Sequence, residues 1–164
     1  MLSIISAADW VRPATEAGTT ALADARGILD DIRANGTAAI RAHSLRLDGF
    51  EPASVDLKPF ESYDLDRETT DAIRLAHARI RRFAEMQRET VQDREFADET
   101  GRYGQRVVPV RSVAAYVPGG RHPLVSTALM TLVPAEVAGV ETRVAVSPST
   151  HPAVLAACSL AGAT

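Results

Sequence analysis

From Ser112 onward the apolar residues fall into four segments in a fixed order, and that order restricts the fold more than anything else in the chain. "SVAAYV" at 112 to 117 reads as a strand, and Pro118-Gly119-Gly120 breaks it. A helix follows, with Ser126 or Thr127 as its cap, reaching about Ala138, where Gly139 is a natural residue for leaving a helix. Pro134 within that helix predicts a kink or an interruption. "RVAVS" at 143 to 147 reads as a buried strand, Pro148 to Thr150 as a turn, and "PAVLAACSLA" at 152 to 161 as a helix with Pro152 near its first position. Strand, helix, strand, helix predicts a parallel βαβ unit with a right-handed crossover. Ahead of it, "YGQRVVPV" at 103 to 110 reads as a strand in series with the next, with Pro109 marking an edge or irregularity.

The preceding residues have a different period. Leu22, Ala25, Ile28, Leu29 and Ile32 recur at helical spacing until Asn35-Gly36 stops the segment. Thr37 is a plausible cap for a second helix, with Ile40, Ser44 and Leu47 along one side before Asp48-Gly49 turns the chain. The clearest helix is capped by Asp66, with Ile73, Ala76, Ile80, Phe83 and Ala84 facing one way and arginines the other. Helices faced in this way need a partner surface. The expected organisation is therefore α/β, with a helical N-terminal arm over residues 1–100 and an incomplete parallel α/β lobe over 101–164.

Charge narrows the choice of partner. Eighteen Lys and Arg face twenty-one Asp and Glu, a net charge of −3, so no overall positive field draws in nucleic acid or an anionic membrane. The local run Arg79-Ile80-Arg81-Arg82 lies among Asp71, Glu85 and Glu89 and reads as a solvated helix face. The most apolar stretch, 124 to 140, is interrupted by Pro134 and Glu136 and predicts no membrane span. Cys158 has no second cysteine to pair with, its neighbours are apolar, and a small buried thiol in a cytoplasmic protein is expected. "MLSIISAADWVRPATEAG" lacks the basic start of a signal peptide.

Parallel sheets gather ligands beyond the carboxyl ends of their strands, which is where the loop from Val117 to Val125 must run. Its glycines lack the Cβ atoms that would hold a ligand off the backbone, and amides beside a helix start suit an anionic group. The pattern is neither G-x-G-x-x-G nor a Walker sequence, and Pro-Gly-Gly alone also fits plain turn chemistry. Tyr116, at the end of the strand, offers either a stacking and hydrogen-bonding surface for a ring-bearing ligand or a core side chain with a satisfied hydroxyl. Arg121 and His122 could contact phosphate or carboxylate, or be solvated loop residues. His43, His77, His122 and His151 have no metal-ligand spacing, and no G-x-S-x-G elbow is present.

The run "VPVRSVAAYVPGGRHPLVSTALMTLVPAEVAGV" from Val108 resembles the Tyr-Val-Pro-Gly-Gly region of the histidinol dehydrogenase family. Its pieces are Tyr116 to Gly120, Pro123 to Met130, and Pro134 to Gly139, at the family's distances. The helical half "ILDDIRANGTAAIRAHSLRLDGF" is similar to the family's N-terminal arm, though Asn35 to Ala39 and Leu47 to Phe50 depart in detail. The resemblance covers nearly all 164 residues. It implies α/β enzymes with Rossmann-like lobes, working as homodimers, that use NAD and zinc to oxidise L-histidinol through the aldehyde to L-histidine.

Of that family's functional residues, the NAD-contacting tyrosine corresponds to Tyr116. Neither catalytic nor metal residues have counterparts here: the family's Glu-His pair and its zinc-holding Gln, His, Asp and His fall beyond residue 164, so the chain by itself is expected to be inactive. Two other readings remain. One is a related dehydrogenase for another small polar alcohol; the other is a truncated, non-catalytic binding protein.

Overall fold

The computed structural model describes residues 19–119 and 122–164. Gly120 and Arg121 of the candidate loop, and the N-terminal segment weighed as a signal peptide, lie outside them. The chain divides into two compact units, Met1–Ser54 and Val55–Thr164.

In the first unit Gly36 adopts a φ of 57°, and this one residue converts a helical run into two helices, α1 (Thr19–Asn35) and α2 (Thr37–Asp48). Its amide still bonds the carbonyl of Ile32 at 2.8 Å. Because Gly36 takes the strained geometry, Thr37 is the first helical residue and not the cap expected of it. His43 on α2 bonds Asp31 on α1 through Nε2 at 2.7 Å, while Arg46 approaches its Nδ1 at 3.1 Å. Arginine can only donate, so Nδ1 accepts and the ring proton is assigned to Nε2. The side-chain hydrogen bond from Asn35, and then that from His43, holds the Asp31 carboxyl below its usual range.

The second unit starts with a short 3-10 turn, Phe60–Ser62, that drives Phe60 into the core. Asp66 caps α3 (Arg67–Glu89) as expected, accepting from the Thr69 amide at 2.7 Å. Ile73 and Ala84 are buried, and Ala76 and Ile80 pack on the core, but Phe83 is 57% exposed. Phe83 lies about 80° round the helix from Ile73, at the rim of the apolar stripe.

Beyond α3 the structure differs from the expectation. Residues 94–105 form an antiparallel hairpin, β1 (Arg94–Asp98) and β2 (Gly101–Gln105), separate from the parallel sheet, and Pro109 falls outside any strand. Two local devices account for it. Asp98 Oδ1 accepts from the Thr100 and Gly101 amides at 2.8 and 3.1 Å, folding a tight turn, and Phe96 stacks on Tyr103 with ring centres 5.2 Å apart. Apolar alternation, the usual strand signal, is missing from both strands.

The parallel unit follows the expected order: β3 (Ser112–Tyr116), α4 (Val125–Val137), β4 (Thr142–Val146), α5 (Pro152–Leu160). β3 and β4 pair in parallel, Ser112 opposite Thr142 and Tyr116 opposite Val146. Val117, Leu129, Leu132, Val133 and Val154 are the large, fully buried side chains, and alanines of α4 and α5 fill the space between them. α4 begins at Val125 after Leu124 with no side-chain cap, so neither Ser126 nor Thr127 plays the capping role, and Thr131 returns its hydroxyl to the Thr127 carbonyl at 2.7 Å. The helix continues through Pro134. Gly139, at φ 85°, ends it: its amide bonds the Glu136 carbonyl and the Val140 amide bonds that of Ala135.

Candidate functional site

Alternation along β3 and β4 sends Ala115 and Val117 into the core and leaves Ala114, Tyr116, Val144 and Val146 exposed. Tyr116, the last residue of β3, is 63% exposed and is therefore not a core side chain of this unit. Its register partner Val146 is 50% exposed, so ring and valine share one open apolar face at the carboxyl end of the sheet. Immediately after Tyr116, Val117 is fully buried and its amide bonds the Val146 carbonyl at 2.8 Å. The strand end beneath the tyrosine is thereby anchored.

The turn beyond has a different logic from the one read in the sequence. A Cβ placed on Gly119 would stand 2.5 Å from Cγ of Pro148. Glycine at 119 is thus required for two loops to touch, the one after β3 and the one after β4. The second loop is held by its own side chains: the Ser149 amide bonds Ser147 Oγ at 3.0 Å, the His151 amide bonds Ser149 Oγ at 3.3 Å, and the Ala153 amide bonds His151 Nδ1 at 3.2 Å. The sequence places Pro148 in a turn but gives no sign of its contact with Gly119, nor of the capping role of His151. A Ser-Pro-Ser run ahead of a helix hints at an ordered turn, but nothing local pairs Pro148 with Gly119.

The other polar candidates do not converge. His122 and Ser126 are exposed, His43 is bonded to Asp31, and His151 caps α5. His77 on α3 is half-buried, and its Nε2 has no hydrogen-bond partner among the described residues. Burial first, and then the charge of Arg81, holds its pKa below the usual histidine value, with Glu136 opposing. Arg81 itself binds Glu136 across the α3–α4 seam. Burial pushes the Cys158 thiol up to about 11, which removes it as a nucleophile. Among the described residues no three His, Cys, Asp or Glu side chains gather as a metal site, and no helix is long and apolar enough to cross a membrane.

A parallel strand pair linked through a helix, with a tyrosine and two touching loops at its carboxyl end, defines an α/β protein of the class that binds ligands beyond its strand ends. The histidinol dehydrogenase family model matches residues 12–164. A histidinol dehydrogenase from Thermus thermophilus is 44% identical over 142 residues, covering 84% of this chain and 34% of the relative. A histidinol dehydrogenase homolog from Ruegeria pomeroyi is 41% identical, covering 83% and 34%. The crystal structure of histidinol dehydrogenase from Elizabethkingia anophelis shares the fold with a TM-score of 0.72 at 21% identity, over 94% of this chain and 36% of that one. The chain belongs to the histidinol dehydrogenase family. It spans about a third of the length of the curated relatives it matches.

Proposed function

We propose that this chain forms the cofactor-side part of a cytoplasmic, homodimeric enzyme that oxidises L-histidinol through the aldehyde to L-histidine with NAD. The observation that carries the reading is the exposed Tyr116 at the carboxyl end of β3, inside the run that resembles the family's Tyr-Val-Pro-Gly-Gly region. NAD bound there would supply the acceptor for the hydride that leaves the substrate carbon. Tyr116 contributes a flat ring and a hydroxyl to the cofactor, and the apolar Val146 beside it extends that surface. Residues 101–164 are the NAD-binding lobe in this reading.

Zinc has no donor set among the described residues, so this reading places its ligands, and the groups that take the substrate proton, in other polypeptide. The chain by itself then gives no turnover.

The test is an assay of the longest reading frame containing this chain for histidinol-dependent NADH formation, with and without chelator. Oxidation of another small polar alcohol in place of histidinol would transfer the assignment to a related dehydrogenase. A reading frame that ends at Thr164 and yields a stable product without turnover would favour a non-catalytic binding protein. Within the active enzyme, Tyr116→Ala raises the KM for NAD; an unchanged KM returns Tyr116 to a role in covering the sheet.

A further inference from the structure

We infer that Pro148 is a positioning residue for the cofactor loop: its ring, seated against the bare Cα of Gly119, sets how the segment after Tyr116 leaves the sheet. The inference rests on the proposed NAD role of Tyr116. Three observations carry it. The first is the approach itself, since a Cβ on Gly119 would meet Pro148 Cγ at 2.5 Å and Cβ at 3.4 Å. Carbon atoms prefer to stand about 3.5–4.0 Å apart, so a methyl group at 119 demands roughly an ångström of movement.

The second is that Pro148 cannot yield as a flexible side chain would. Its ring is closed onto its own backbone, and that backbone lies in the turn tied by the Ser147, Ser149 and His151 side chains and continuous with α5. The third is that β3 is anchored up to Val117, whose buried side chain and bond to Val146 hold the strand end in place. With both neighbours fixed, the movement falls on Pro118 and Gly119, directly after the tyrosine.

The experiment uses the active reading frame and compares Gly119→Ala, Pro148→Ala, the double variant and Tyr116→Ala, measuring KM for NAD, KM for histidinol and thermal midpoint for each. Gly119→Ala is expected to raise the KM for NAD by about tenfold, the effect of losing roughly 1.4 kcal/mol of binding, with the KM for histidinol held within about twofold. Pro148→Ala alone is expected to raise the KM for NAD, because the ring that sets the loop is gone; since it also removes Cγ, the double variant is expected to recover only part of the NAD affinity lost by Gly119→Ala. A general folding defect would move both Michaelis constants and the midpoint together and would not be relieved by a second substitution. If Tyr116→Ala raises the KM for NAD but Gly119→Ala does not, or Pro148→Ala fails to rescue it, the positioning role is wrong and the cofactor role stands. If Tyr116→Ala changes nothing, the cofactor role itself falls.

Discussion

Arg143 Nε, on β4, donates a 2.8 Å hydrogen bond to the carbonyl of Gly162, which lies just past the end of α5. The same guanidinium reaches the carbonyls of Val140 and Glu141, which follow α4. One cation therefore serves the carboxyl-terminal ends of both helices packed on the sheet, where orphan carbonyls and the helix dipoles concentrate partial negative charge. The backbone of Arg143 is also paired with Thr164, donating to its hydroxyl at 3.0 Å and accepting from its amide at 2.9 Å.

Arg143→Met keeps an unbranched stem and removes these charge-assisted bonds. A loss of about 1–3 kcal/mol in unfolding free energy is expected, read as a lower denaturant midpoint at unchanged slope. A midpoint equal to that of the parent would mean that water replaces the guanidinium without penalty.

Leu129 and Met130 are neighbours on α4 with opposite environments, 1% and 56% exposed. Leu129→Ala empties part of the core and should cost about 2–5 kcal/mol. Met130→Ala should stay within about 0.5 kcal/mol. Equal effects in equilibrium unfolding would contradict the burial pattern of this helix.

His77 makes stability depend on pH. Its folded-state pKa lies below the ordinary 6.5, so between the two values the unfolded chain binds more protons than the folded one. Stability is complete above 6.5 and declines as the pH falls through that value toward the folded pKa. Arg81 and Glu136 are the charged groups that act on the ring, the first against and the second in favour of its protonation. Thermal midpoints measured from pH 8 to pH 5 should fall more steeply for the parent than for His77→Phe, and parallel curves would assign the acid sensitivity elsewhere.

Cys158 is buried, and with its pKa raised to about 11, only about a thousandth of the thiol is ionised at pH 8 even before access is considered. Labelling by a disulfide reagent should therefore track unfolding, accelerating in denaturant with the global transition. Rapid labelling in native buffer would show that the α5 packing opens.

The helices and the parallel pair were legible because their signals are local. Asp66 lies directly before an apolar stripe at helical spacing, Gly139 and Gly36 occupy positions where only positive φ continues the chain, and Pro152 opens α5. The β1–β2 hairpin escaped because its strands carry no apolar alternation; its stability comes from a cross-strand aromatic pair and an aspartate-folded turn. Ser126 and Thr127 misled for the opposite reason, being good capping residues placed two and three positions after the cap at Leu124. Tyr116 is a candidate from its position at a strand end, where pattern alone favours core packing and only the family resemblance favours a ligand role.

By its own periodicity and breakers, the sequence determined the helices, the order of elements from Ser112 onward, the parallel strand pairing and the stretch of chain that would lie at the carboxyl end of the sheet. Periodicity states which residues of one element share a face; it does not state which residue of another element that face will meet. Only tertiary packing decided that Tyr116 stands on the open face, that Gly119 must lack a side chain because Pro148 lies against it, and that Arg143 closes two helices at once.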